Sequence, residues 1–228
     1  REIPVFASMW NMDGLILIGF CEADYEALRS QTRISFVVYD GYFAACSKVV
    51  NLTIGHYDGG YQAGQYAREL GHTKALCLAD NDLCMDKERM DGFRAAFAPG
   101  KALFWQIPAL QKERSAYYEE HFRRFLNLHS TIVFAASDFY ALDFMRFLQT
   151  KGVRIPDDVQ IIGFDDTAAS RESVPTLTTV HQDAAQRAKT ALACLEAMRS
   201  GKECEAQIVL PVTLIPREST RKMPCRTL

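Results

Sequence analysis

Short apolar runs rich in Val, Ile and Phe recur along the chain, each followed by a segment with helical period, and that alternation predicts parallel βαβ units. Strands are predicted over residues 14–20, 34–39, 49–54, 75–79, 102–107, 131–136 and 159–164, with helices over 60–70, 87–97, 115–128, 139–151 and 184–199. Three helices carry an apolar stripe that reads as core: Tyr118, Phe122 and Phe125; Ala141, Phe144 and Leu148; Ala185, Ala188, Leu192 and Leu195. Gly71, Gly152 and Gly201 stand where a left-handed helix C-cap is wanted, and Pro156-Asp157-Asp158 turns the chain into the next strand. The run Val159-Gln160-Ile161-Ile162-Gly163-Phe164 is nearly continuous in apolar character, as a strand covered on both faces must be.

Composition narrows the class. The 228 residues are 48% hydrophobic and 24% charged, which excludes a disordered or fibrous chain and leaves one or two globular domains. A net charge of −2 gives no global field toward nucleic acid or an anionic membrane, so any contact with DNA is expected through a part outside these residues. No run approaches the roughly 20 apolar residues of a membrane span. Seven cysteines, at 21, 46, 77, 84, 194, 204 and 225, show no C-x-x-C pair, which predicts reduced thiols in the cytoplasm rather than a disulfide framework or a zinc site. No metal or cofactor is expected. The basic segment 221–228 reads as a tail.

In an open α/β sheet the ligand crevice lies beyond the carboxyl ends of the strands, so polar residues that follow each strand are the candidates. They are Asp40; His56 and Asp58; Asp80 and Asp82; Ser137 and Asp138; Asp165 and Asp166. Helix capping explains Asp58 and Asp138 singly. One acidic residue at nearly every strand end is more than capping needs.

Several local blocks resemble, in order, the lac and galactose repressor family. They are Gly59-Gly60-Tyr61 leading to Glu69-Leu70-Gly71-His72-Thr73-Lys74; Glu88-Arg89-Met90-Asp91-Gly92-Phe93; Ser137-Asp138-Phe139-Tyr140-Ala141; the long run from Lys151 to Asp166; Pro175-Thr176-Leu177-Thr178-Thr179-Val180; and Leu214-Ile215-Pro216-Arg217-Glu218-Ser219-Thr220. The resemblance implies an α/β, two-lobed periplasmic-binding-protein-like fold, each lobe a parallel sheet flanked by helices, with three crossovers. It places residues 1–71 plus 182–203 in an N-terminal lobe and 72–181 plus 207–220 in a C-terminal lobe, with crossovers near Gly71, at 179–181 and at 204–208. Relatives begin the first lobe with a βα unit for which there is no room before Leu15, so Arg1 is expected to lie inside a longer parent protein.

The same resemblance implies the effector-sensing domain of a bacterial regulator that binds a small sugar-like ligand between its lobes and couples it to operator DNA through a separate headpiece. It also implies a homodimer, no membrane and no catalysis. Arg89 matches the family's effector-binding arginine, whose planar fork suits paired hydroxyls or a carboxylate. Asp165 matches an acceptor of ligand hydroxyls, and Asp138 and Ser137 match a block usually written Asn-Asp. His56 and Asp58 match a segment given by the first lobe, Asp40 an acidic position of sugar-binding relatives, and Gln182 a crossover side chain on the ligand. Ser137 in place of Asn, and Gly55-His56 in place of an acidic pair, are departures that alter ligand choice. Trp10, Tyr57, Tyr117 and Phe139 form the pool of stacking aromatics. The alternative is the solute-binding protein of a sugar transporter. Paired carboxylates also suit acid/base work, but no nucleophile elbow, Walker loop or G-x-G-x-x-G accompanies them.

Overall fold

The computed structural model describes residues 12–18, 34–41 and 49–222. Trp10, Cys21, Cys46, Cys225, positions 19–20 of the first predicted strand and most of the predicted tail lie outside them. The chain divides into two compact units: residues 1–55 with 183–211, and residues 56–182 with 212–228.

In the first unit the described strands β1 (Gly14–Ile18), β2 (Ser35–Tyr39), β3 (Val49–Ile54) and β9 (Gln207–Leu210) form one parallel sheet in that order. Val37, Val50 and Leu52 pack against Ala191 and Cys194 of helix α6 (Ala184–Arg199). The stripe predicted for α6 is rotated: its buried face is Arg187, Ala191 and Cys194, while Leu192 is 60% exposed. An apolar count passes over Arg187, which is buried because it has a carboxylate to meet.

The second unit holds the strands β4 (Lys74–Ala79), β5 (Lys101–Gln106), β6 (Ile132–Ala135), β7 (Gln160–Asp165), β8 (Thr178–Gln182) and β10 (Val212–Ile215). Their order is β10-β8-β7-β6-β4-β5, parallel throughout except for antiparallel β10 at the edge. Side chains alternate across the sheet. Leu76, Leu78, Val133 and Ile161 meet Tyr118 and Phe125 of α3 (Gln111–Leu128) and Phe144 of α4 (Asp138–Thr150), as the two predicted stripes require. On the other face Phe134 stacks on Phe93 of α2 (Cys84–Phe97), with ring centroids 4.6 Å apart. Coverage on both faces explains the continuous apolar strands. A short α5 (Ala168–Glu172) carries no readable period, and Gly71, Gly152 and Gly201 take φ of 95°, 75° and 72° as their capping roles require.

Helix α1 (His56–Glu69) begins four residues earlier than the Gly60 start that the pattern predicts. Gly59-Gly60 reads as an entry into the helix, but these glycines are its contact surface. A Cβ at Gly60 would lie 1.9 Å from the Arg89 carbonyl oxygen, one at Gly64 2.3 Å from that of Phe93, and one at Gly92 of α2 2.0 Å from that of Tyr57. The two helices therefore meet backbone to backbone.

That contact moves the first boundary. The expected crossover near Gly71 falls instead after Gly55, since α1 is tied to α2 and joins the second unit. His56 and Asp58, expected from the first lobe, go with it. The second crossing follows Gln182, which still pairs with β10, and the third follows Pro211, because β9 lies beside β3 before the chain returns.

Candidate functional site

The sheet of the second unit reverses its winding at β4, which has β5 on one side and β6 on the other. In such sheets a crevice opens beyond the strand ends at the switch point. Arg89, from the second turn of α2, is 7% exposed and reaches this region. Its Nε donates to His56 Nδ1 (3.2 Å), and one Nη donates to the Ala136 carbonyl (2.5 Å) and to Asp165 Oδ1 (3.4 Å). The guanidinium carbon lies 3.8 Å from the centroid of the Phe164 ring. Cation, ring and carbonyl together fix the fork's plane.

Asp165 ends β7 with φ 117°, a region that side-chain-bearing residues seldom adopt, and Asp166 follows at φ 53°. Such strain persists only where surrounding bonds over-determine it. Here Ser137 Oγ donates to Asp165 Oδ2 (2.9 Å) and Gln182 Nε2 to Oδ1 (2.9 Å). Burial pushes the Asp165 carboxyl up, while Arg89, Ser137 and Gln182 hold it down against that. His56, Arg89, Ser137, Asp165 and Gln182 thus form one connected network at the carboxyl ends of β6, β7 and β8.

The other candidates fall elsewhere. Asp138 is fully buried, and its carboxylate is occupied by Thr179 Oγ1 (2.6 Å), Thr167 N (2.8 Å) and Thr167 Oγ1 (3.0 Å). It fixes the turn that carries Asp165 and Asp166. Asp58 lies on the exposed face of the first turn of α1 and accepts from Gln62 Nε2 (3.0 Å). Asp166 is a structural hub for Arg171, Arg217 and His181. Burial opposes its charge, but those three partners outweigh it and lower its pKa.

Asp40 belongs to the first unit and is engaged there. It pairs with Arg187 at 2.7 Å and accepts from Thr53 Oγ1 at 2.9 Å, and Arg187 also covers the Tyr39 ring, 4.1 Å from its centroid. Removing one partner of a buried ion pair strands the other charge. Asp40→Ala is therefore expected to cost about 3 kcal/mol in urea unfolding, with Asp40→Leu/Arg187→Met recovering most of it. A stability that stays at the parent value in Asp40→Ala would remove this structural role.

Residues 65–220 match the model of the periplasmic binding protein-like domain. The chain belongs to that family. The HTH-type transcriptional regulator DegA of Bacillus subtilis is 32% identical over 169 residues, covering 71% of this chain and 49% of the relative. The HTH-type transcriptional repressor PurR of Vibrio cholerae is 34% identical over 155 residues, covering 66% of this chain and 46% of the relative. The chain thus spans about half the length of these curated relatives. Among solved structures, a periplasmic binding protein/LacI transcriptional regulator from Alkaliphilus metalliredigens complexed with D-xylulofuranose matches with TM-score 0.84 at 25% identity, covering 95% of this chain and 80% of that one. A dimeric lac repressor shares the fold at TM-score 0.79 and 22% identity, covering 96% and 80%. The resemblance to the lac and galactose repressor family holds.

This periplasmic-binding-protein-like domain has a second polar group, of which only Asp80 directly follows a strand. Asn81 Nδ2 donates to Asp80 Oδ1 (2.6 Å) and Asp86 Oδ2 (3.3 Å). Asp86 lies within α2, three residues before Arg89, and so away from any strand end. Burial lifts its carboxyl from 3.8 to about 6, with Arg89 opposing and Asp80 adding to the rise. The folded protein holds this proton where the unfolded chain has lost it. Stability therefore falls as pH rises from about 4 to about 6, and is not regained above. Asp86→Asn is expected to flatten that part of the melting-temperature profile between pH 4 and 7; an unchanged profile would refute the assignment. Among the described residues, no group of three or more His, Cys, Asp or Glu is placed to hold a metal ion, and no helix is long and apolar enough to cross a membrane.

Proposed function

We propose that this domain is the effector-sensing part of a bacterial transcriptional regulator, and that its effector is a small polyhydroxylated molecule of the sugar class. The observation that carries the reading is the network itself. A guanidinium, a carboxylate, a hydroxyl and a carboxamide converge where the strands end, offering paired donors and acceptors with little net charge. That is what several adjacent hydroxyls ask for, and exposed Phe139 and Tyr57 offer apolar faces for a sugar ring. The relative crystallised with D-xylulofuranose supports the ligand class. The curated relatives, HTH-type regulators, favour a regulator over a transport protein.

The roles assigned are fork donor for Arg89, acceptor for Asp165, and orienting partners for Ser137, His56 and Gln182. Asp138 supports the Asp165 turn from below, and Asp58 and Asp40 are not assigned a ligand contact. No catalytic step is assigned to the carboxylates, and no cofactor. Operator DNA would be bound by a headpiece beyond these residues, in a homodimer working in the cytoplasm, where thiols such as Cys77 and Cys84 stay reduced.

Calorimetric titration with pentoses, hexoses and their amino and acid derivatives tests the reading. One class is expected to bind with a Kd below about 1 mM, and Gln182→Ala to weaken it about tenfold. A panel that gives no heat with the intact chain, or an affinity untouched in Gln182→Ala, would overturn it.

A further inference from the structure

We propose that the second unit carries another small-molecule site, at the end of its sheet opposite Arg89 and Asp165, and that it takes a small organic monoanion with an apolar body. A cavity of about 640 Å³ opens between the amino ends of β4, β6 and β7 and the end of α3. That volume is in the range of cavities that hold a small ligand. It shares no residue with the sugar network.

The walls are fixed by the fold. Thr131 N donates to the Lys74 carbonyl (3.2 Å), His129 N to that of Leu126 (3.2 Å), Gly152 N to that of Gln149 (3.0 Å) and Val159 N to that of Arg154 (3.3 Å). The first three of these bonds tie a bordering loop to a helix or strand, and the fourth closes the loop before β7 on itself. At Gly152, a Cβ would meet nothing within 4 Å, so the space there is open.

The chemistry is asymmetric. Phe125, Leu126, Val153 and Val159 supply an apolar wall, and Leu126 is 49% exposed. Ser130, 7% exposed, lines the same cavity, and its buried Oγ has no hydrogen-bond partner among the described residues. A buried hydroxyl in that state is a group that a ligand acceptor satisfies. Lys74 and His129 stand at the rim, and among the described residues the Lys74 ammonium has no ion-pair partner. Among the described residues the one carboxylate in the lining, Asp158, is spent on Arg154, which donates from N (2.8 Å), Nε (3.1 Å) and an Nη (2.7 Å). The surplus charge facing a ligand is positive. A carboxylate or sulfonate between Lys74 and Ser130, with an aromatic or branched body on Phe125 and Val159, answers both halves of the lining.

The test is a titration of the whole chain with 3-phenylpropionate, read by amide NMR, with neutral 3-phenylpropionamide as comparison. Saturable shifts are expected at Ser130, Thr131, Gly152 and Val153, with the amide analogue and Lys74→Glu each binding about three- to fivefold more weakly. Lys74 is exposed, so its replacement leaves the fold intact, and a melting curve confirms that. Leu126→Asp, also at an exposed position, is a second block expected to weaken binding by a similar factor. Equal affinity for acid and amide, equal affinity in both variants, or shifts absent from those four amides would overturn the site. Because the sugar network is separate, Gln182→Ala leaves this titration unchanged if the proposal is right.

Discussion

Arg89→Ala is expected to abolish measurable sugar binding in calorimetry, a loss of at least about 100-fold. Two charge-assisted hydrogen bonds from a planar fork contribute about 1.5–3 kcal/mol each, and alanine removes both along with the cation over Phe164. The substitution also changes the unliganded protein. Asp165, buried and lifted toward protonation, loses the guanidinium that sustains its charge. The carboxylate keeps its place through Ser137 and Gln182, and stability is expected to fall by about 3 kcal/mol. Arg89→Lys should rescue little, because a point charge cannot span His56 Nδ1, the Ala136 carbonyl and a ligand at once. Titrating the three proteins side by side decides the matter. Sugar affinity preserved in Arg89→Ala would end the assignment of this network as the effector site.

Gly60→Ala should destabilise the protein by about 3 kcal/mol, lowering the melting temperature by roughly 6–12 °C. Helix propensity points the other way, since alanine in a helix interior is favoured over glycine by about 1 kcal/mol. The clash wins because the new methyl would stand 1.9 Å from the Arg89 carbonyl oxygen, a backbone atom that cannot rotate aside. Helices α1 and α2 must separate. The carbonyl in question belongs to Arg89 itself, so the same displacement shifts the guanidinium and sugar affinity falls with stability. Gly92→Ala, 2.0 Å from the Tyr57 carbonyl oxygen, is expected to behave alike. Thermal melts read the first effect and calorimetry the second; a stabilised Gly60→Ala protein would mean that the helices are not in backbone contact.

The strands and helices of the second unit were legible because both faces of its sheet are covered, so that apolar runs and helical stripes coincide with elements. One hydrogen-bonded network joins the family-matched Arg89, Asp165, Ser137 and Gln182. What escaped the sequence depends on partners. Arg187 is polar in every scale and buried only because Asp40 awaits it. Asp138 has the sequence position of a ligand contact, but its lone pairs are taken by Thr167 and Thr179, remote in the chain. Gly59-Gly60 looks like a helix entry until α2 is laid against it. Each miss is a long-range contact, which a period of 2 or 3.6 cannot encode.

The antiparallel edge strand β10 has a bearing on synthesis. The chain leaves the second unit after Gln182, contributes α6 and β9 to the first, and only then returns to lay Val212–Ile215 along β8. Ser219, fully buried, closes the structure by donating to the Ile161 carbonyl (2.7 Å) and accepting from Thr178 N (2.8 Å). A nascent chain that has emerged through β8 therefore carries an uncapped sheet edge and an unfilled seat for Ser219. Neither unit is contiguous, so the ribosome must release nearly the whole domain before either sheet is complete, and a stop codon before Val212 would leave a product whose open β8 edge invites pairing with its neighbours.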